Sequence, residues 1–470
     1  MRKICFLLLF AVSIVAMGAN AVDEVKNLID AGNYSQALTL LQEQYAKNRA
    51  NALVNYRMGV CYQHMGETAQ ATKYYDAAQR RGNKEALMAL ARCYYDEYDF
   101  VNAKSMIEKY ETATKNKPMN QEDSRLRARI TMAEEMLRHV EKITVIDSLV
   151  VDKNEFFKKY RLSAQAGRLI ATGEMPEAIR PANSATSAFV PEDGAGMLWS
   201  QSDADGTQRL MRADKLLDGS WDSPVQLDDM LNDEGDAAYP FVSADGQNLY
   251  YASNGVGSIG GYDIFVTRKD SETGNYLKPQ NVGMPYNSPY DDYLLAIDGN
   301  TGVGWWATDR NQIAGKVTIY IYIPNATRVN YNADSIDVSS MAAIKRIRDT
   351  WEPGADYTSV LSKIENMGSE TATAQAEFSF PVSKGVTYTS YADVKTTEGR
   401  NLLEQYFSEV EKCNSDTEKL SALRAKYAQA ADSERNSMSS QIKQLEQSVR
   451  KSREMIDYYA NKVRRAEGVK

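Results

Sequence analysis

The apolar and polar positions of this chain repeat with three different periods, and each period marks a region. From about residue 22 to 115 the period is helical. Small and aromatic residues recur there in one frame, in which Ala37, Ala71 and Ala103 are separated by 34 and 32 residues. A further helix is predicted at about 121–141. From Ile143 the period becomes that of strands, because "ITVIDSLVV" is β-branched and alternating. Three runs, "FVPEDG" at 189, "FVSADG" at 241 and "LLAIDG" at 294, place Asp193, Asp245 and Asp298 at intervals of 52 and 53 residues. Each is followed by a strand-like partner: "LWSQSD", "LYYASN" and "GWWATD". An Asp-Gly pair between two such runs predicts a tight antiparallel hairpin, since both residues tolerate the positive φ of that turn. Near Gly399 a third, charged and alanine-rich region begins. Ser415 and Glu418 have the spacing of a capping box, predicted to start a long helix. Ile442, Leu445, Val449, Ser452, Ile456, Tyr459 and Val463 then step alternately by 3 and 4, the seam of a coiled coil. That seam is buried either by folding back on residues 416–440 or by pairing with a second chain, a self-association through 442–463.

Within the helical region, "NYRMGVCYQHMGETAQATKYYDAAQRRG" (55–82) puts Gly59, Tyr62, Gly66, Ala71, Tyr75 and Ala78 on the signature positions of the tetratricopeptide (TPR) repeat, which it resembles. Gly32 with Ala37 marks an earlier copy, and Tyr94 with Ala103 a later one. The resemblance implies an α-solenoid of antiparallel helix pairs over 22–141. It also implies a concave, partner-binding face lined from the first helix of each repeat, here Lys26, Asp30, Tyr56, Gln63, Arg92 and Tyr95. In the strand region, each hairpin is followed by a third strand, "YDIFVTR" or "VTIYIYI". Strand, turn, strand, strand at this period is the construction of a propeller blade. Three blades are clear, at about 189–325, whereas closed propellers usually need at least four. Strands near 143–151 and 376–391 are expected to complete further blades within a domain spanning 142–398, with a helical insertion at about 338–366. The stretch "FVSADGQNLYYASNGVGSIGGYDIFV" resembles TolB-type, WD-like propeller repeats. The order of helical and propeller-like repeats is similar to that of OmpA-family envelope proteins of Bacteroidota, although the helical region 399–470 shows no OmpA-like domain.

Composition and charge narrow the function. The order Met1-Arg-Lys3, an apolar run from Ile4 to Met17, then Ala19-Asn-Ala21 is that of a secretory signal cleaved after Ala21. Loss of Arg2 and Lys3 takes the formal charge from −8 to −10. This argues against nucleic acid, which calls for a basic footprint. No later stretch has the roughly 20 apolar residues of a membrane span. Cys61, Cys93 and Cys413, left after cleavage, form no disulfide framework and read as small buried apolar residues.

Candidate chemistry is sparse. "NGVGSIGGYDIFV" sets Gly255, Gly257 and Gly260 at the G-x-G-x-x-G spacing of a dinucleotide site, but a strand follows, and a strand lacks the helix N-terminus that receives a pyrophosphate. The two histidines, His64 and His139, fall in helices, far in sequence from any serine at a strand end. "SDADGT" (202–207) has the aspartates of a calcium loop without its later glutamate. Trp305 and Trp306 suit either sugar stacking or core packing. No catalytic residue, metal ligand or cofactor is assigned. The expectation is a multidomain α and β protein: an exported, non-enzymatic scaffold in the periplasm or at the outer membrane. It would bind envelope proteins, within an outer-membrane or secretion-related assembly. A glycan- or ion-binding module in the propeller-like domain is the alternative.

Overall fold

The structure, a computed structural model, describes residues 23–468 except 183–186, 217, 233–234, 271–272, 333–335, 363, 365–377, 379, 384–385, 389 and 430–431. The signal sequence expected at 1–21 lies outside the described residues. The chain divides into two compact units, Met1–Ile364 and Glu365–Lys470.

The first unit opens with helices α1 (23–30), α2 (Tyr34–Lys47), α3 (Ala52–His64), α4 (Thr68–Gln79), α5 (Glu85–Asp96), α6 (Phe100–Ala113) and α7 (Gln121–Leu137). Consecutive helices from α2 to α7 pack on one another, as in a solenoid. The frame residues explain why. Ala37, Ala71 and Ala103 are each fully buried where two helices meet. A Cβ on Gly59 would lie 2.5 Å from the Tyr75 ring, so only glycine lets α3 approach α4 this closely. The caps are local: Asn51 accepts the N–H groups of Leu53 and Val54, Asp99 that of Asn102, and Asn120 that of Asp123.

Three antiparallel sheets follow. The first has the order β2 (Arg168–Ala171), β3 (Ser187–Val190), β4 (Gly196–Ser202), β5 (Gln208–Asp214), β6 (Val225–Gln226). The second runs β7 (Ala237–Val242), β8 (Asn248–Ser253), β9 (Asp263–Arg268), β10 (Gln280–Asn281), and the third β11 (Asp292–Asp298), β12 (Val303–Thr308), β13 (Lys316–Ile323), β1 (Thr144–Asp152). The strand at 143–151 therefore adds no blade: as β1 it is the outer strand of the third sheet, pairing Thr144 with Ile323 and Asp152 with Lys316. Among the described residues no sheet closes on itself, so the expected propeller is not established; the three sheets share one core. Phe156, Phe157 and Tyr160 fill it together with Phe189, Phe241, Tyr293 and Trp305.

Two carboxylates join the sheets in the same way: Asp236 accepts the N–H of Gln208 at 2.8 Å, and Asp291 accepts that of Tyr262 at 2.9 Å. The hairpin turns follow the Asp-Gly expectation at two places, with φ of +60° at Gly194 and +70° at Gly246. The third differs. Gly302 carries the positive φ (+71°), while buried Asp298 accepts the N–H groups of Asn300 and Thr301 and, from across the core, both the N–H and hydroxyl of Ser163. The insertion expected at 338–366 contains helix α8 (Val338–Ala343) and a 3-10 turn, Ile347–Thr350, which packs on β1.

In the second unit, strands β14 (Phe380–Ser383) and β15 (Val386–Tyr388) pair, among the described residues, only with each other. They form no further blade; Phe380, Val382 and Tyr388 pack on Leu403, Ala460 and Val463 of the two long helices, α9 (Thr397–Gln429) and α10 (Asp432–Ala466). Ser415 and Glu418 lie inside α9 and start nothing. Its N-terminus is at Thr396, whose hydroxyl accepts the Gly399 N–H and whose own N–H is accepted by Glu467. The coiled-coil seam folds back. Val449 packs with Cys413 and Leu420, and the links Arg424–Glu446, Ser448–Asp416 and Ser452–Glu409 run antiparallel along α9 and α10. The seam thus faces 403–424 of its own chain, where 416–440 was expected.

Candidate functional site: the first helices of the repeats

The six residues expected on one partner-binding face have different surroundings, although Arg92 lies near enough to Tyr56 to act on its phenol. Lys26 and Asp30 pair with each other along α1 at 2.5 Å, and both stay more than half exposed. Tyr56 and Gln63 share one side of α3. Tyr56 is half-buried against Tyr75, and burial, more than the nearby Glu85, raises its phenol above the usual value. Gln63 accepts the Tyr75 hydroxyl at 2.7 Å. Arg92 is bound to α7, with one guanidinium nitrogen 2.9 Å from both Glu122 and Asp123.

Tyr95 is not available to a partner. It is 4% exposed, and its hydroxyl donates to the carbonyl of Ile259, in the loop between β8 and β9. That loop is the glycine-rich stretch with the dinucleotide spacing. Its glycines serve packing: a Cβ on Gly260 would fall 1.8 Å from the Tyr290 carbonyl oxygen, and Ile259 and Met284 join the apolar cluster of α5, α6 and α7. The third repeat is thus seated on the sheets. Asp96, one residue beyond Tyr95, has its carboxyl pushed up to about 7 by burial and then by Glu97.

Two further residues lie on the same side of α3. Leu53, 43% exposed, and half-buried Val60 lie one turn before and after Tyr56. Positions 53, 56, 60 and 63 share one helix face, so the helical spacing alone could have found them. The remaining candidates resolve into structural roles. In the 202–207 loop, Asp203 accepts the N–H groups of Asp205 and Thr207 and pairs with Arg209 at 3.0 Å. Trp305 and Trp306 are both buried, on opposite faces of β12, and offer no sugar platform. His64 stacks on Tyr34 with ring centroids 4.5 Å apart, and His139 is exposed beside Glu135. Burial raises the Cys61 and Cys93 thiols to about 11. Among the described residues no group of three or more His, Cys, Asp or Glu is placed to hold a metal ion, and no helix is long and apolar enough to cross a membrane.

The tetratricopeptide repeat family matches residues 28–81, from within α1 to just beyond α4. No curated protein matches the chain. Among solved structures, the Yersinia enterocolitica type III secretion chaperone SycD, in complex with a peptide of the translocator YopD, is similar at 17% identity and a TM-score of 0.24, over 25% of this chain and 95% of that one. PcrH in complex with the chaperone binding region of PopD is similar at 20% identity and a TM-score of 0.22, over 26% of this chain and 90% of that one. A type III secretion complex from Aeromonas hydrophila is similar at 19% identity and a TM-score of 0.22, over 25% and 77%.

Proposed function

We propose that this chain is an exported, non-enzymatic protein-interaction scaffold of the bacterial envelope, acting in an outer-membrane or secretion-related assembly. In it, the first two helical repeats hold an extended segment of a protein partner. The three sheets act as a propeller-like body that seats the third repeat. The observation that supports this reading is the tetratricopeptide match over 28–81 together with the row Leu53, Tyr56, Val60 and Gln63 on α3, three largely apolar side chains and an amide left partly open on the helix that faces a ligand in such repeats. Open tyrosine and leucine beside polar residues suit a peptide with apolar anchors, and tyrosine is a frequent hot spot.

The test is recovery of partners from envelope fractions with tagged full-length protein, compared with Leu53→Asp/Tyr56→Ala. The reading expects a specific partner to be lost from the double variant while its helical circular dichroism is kept. Retention of every partner by the folded variant removes the repeats as the binding surface.

A further inference from the structure

A cavity of about 360 Å³ opens between the first and second sheets, at the end where their hairpin turns lie, and its residues have no part in the helical repeats. Its floor is apolar: Phe189 and Leu198 of the first sheet, with Val242 of the second. Its wall carries two cations, Arg212 near the end of β5 and Lys269 just after β9, beside the Tyr276 ring. Arg212 is paired, its guanidinium 2.8–2.9 Å from Asp214. Lys269 is not: among the described residues no carboxylate lies within ion-pair distance, and its ammonium sits 5.5 Å over the Tyr276 ring. Burial, and then the neighbouring Arg212, lower its pKa from the usual value, and the Asp214 carboxylate, which also lines the cavity and is held by Arg212, offsets them only in part. Two acids of the rim, Asp193 and Asp245, serve their own turns. Asp193 accepts the Ala195 N–H at 2.9 Å, and Asp245 accepts the Ser243 hydroxyl at 2.5 Å and the Gln247 N–H at 3.0 Å.

We infer that this cavity is a binding site for a small molecule bearing a single carboxylate, which Lys269 pairs while an apolar or ring face of the ligand lies on Phe189, Leu198 and Tyr276. The volume is that of the smaller ligand pockets, suited to one sugar ring or a dipeptide. A dianion is disfavoured, because Glu192, Asp193, Asp214 and Asp245 line the cavity with negative charge that Arg212 and Lys269 do not fully balance. A sugar acid and a peptide C-terminus offer the same chemistry. The site is independent of the helical-repeat surface, so neither reading stands or falls with the other.

The experiment titrates the full chain with D-glucuronate and with N-acetyl-Ala-Ala, followed by saturation-transfer NMR and calorimetry. Glucose, N-acetyl-Ala-Ala-amide and inorganic phosphate serve as the counterparts. Saturable binding of at least one acid is expected, about tenfold or more weakened in its neutral counterpart and in Lys269→Gln, as for loss of one charge-assisted hydrogen bond. Lys269→Arg should keep it. Glucuronate alone binding identifies a sugar acid, and the peptide acid alone a chain terminus. Binding of neither acid overturns the inference, and so does equal binding of the neutral compounds or of phosphate. Undiminished binding by Lys269→Gln overturns it as well. If Lys269→Gln melts early, the comparison rests on Lys269→Arg, whose failure to bind while folded also overturns it.

Discussion

In the second helical repeat the turn between the two helices is made by Gly66 at φ +77°; in the third, Tyr98 takes the same place at φ +61°. Glycine adopts that conformation at little cost, whereas for a bulky side chain the left-handed region costs on the order of 1–2 kcal/mol. What offsets the cost is tertiary. Tyr98 is 5% exposed, packs on Phe100, and its carbonyl accepts the Ser339 hydroxyl from α8. No atom lies within 4 Å of where a Cβ on Gly66 would stand. The same difference recurs along the first helices. The Gln63 side chain of the second repeat accepts from Tyr75 of the same repeat, while the corresponding Tyr95 donates to Ile259 in the sheet region. A solenoid repeat normally touches only its neighbours. The third repeat has given up that independence, so residues 22–141 are not a free-standing array: Ile259, Met284 and Ala342 complete the cluster around α5 and α6.

The largest effect that separates the two repeats is expected at Arg310. Its buried guanidinium donates to the carbonyls of Pro285, Tyr286 and Ala342 and pairs with buried Asp292 at 2.9 Å. Arg310→Ala leaves Asp292 buried without its partner, a loss of about 3–5 kcal/mol. Native-state hydrogen exchange should show the sheets and α5–α6 losing protection while α2–α4 retain theirs; equal loss throughout would erase the distinction between the repeats.

Next comes the glycine-rich loop under the third repeat. Gly260→Ala drives a Cβ into backbone oxygens of Tyr290 and Ser288, 1.8 and 2.7 Å away, and should cost about 3 kcal/mol or more through forced backbone movement. Gly257→Ala meets only Phe265 at 3.6 Å and suffers the φ of +94°, a cost of about 1–2 kcal/mol. Melting temperatures of the two variants check the ranking, and the reverse order would contradict this packing.

A smaller contrast sets Tyr95→Phe against Tyr75→Phe. The first removes a buried donor and should cost about 1–3 kcal/mol, the second breaks a partly exposed bond and should cost about 1 kcal/mol or less. Urea unfolding of both variants reads the difference directly.

The smallest effect is a slope. The Asp96 carboxyl, raised to about 7, binds its proton more tightly in the folded chain than in the unfolded one. Its contribution to stability is therefore present at low pH and is lost as the pH rises through about 7. Buried Asp263, also raised to about 7, acts in the same direction. Asp96→Asn should melt higher than the parent at pH 8 and show a shallower change between pH 5 and 8. An unchanged slope would remove Asp96 from the junction's titration.

Much of this organisation was legible in the residues. The alanine frame, Gly59 against Tyr75 and the Asp-Gly turns at 193 and 245 are local, because side-chain period and positive φ are properties of a few consecutive residues. On α3 the same period places Tyr56 and Gln63 on one face, and Leu53 and Val60 with them. Tyr95 misled because it occupies a groove position in the frame, and no feature of α5 says that a loop more than 150 residues later will cover it.

By itself the sequence determined the elements: helices in pairs at 34 and 32 residues, hairpins at 52 and 53, and a seam in the last helix. The tertiary structure decided the pairings. It set β1 on β13 across more than 160 residues, paired β14 with β15, and turned the seam of α10 onto α9. It also converted the last repeat from a binding surface into a seat on the sheets. The reason is that a backbone ladder or an apolar face specifies only that it must be satisfied. Which distant segment satisfies it depends on what the rest of the chain brings within reach.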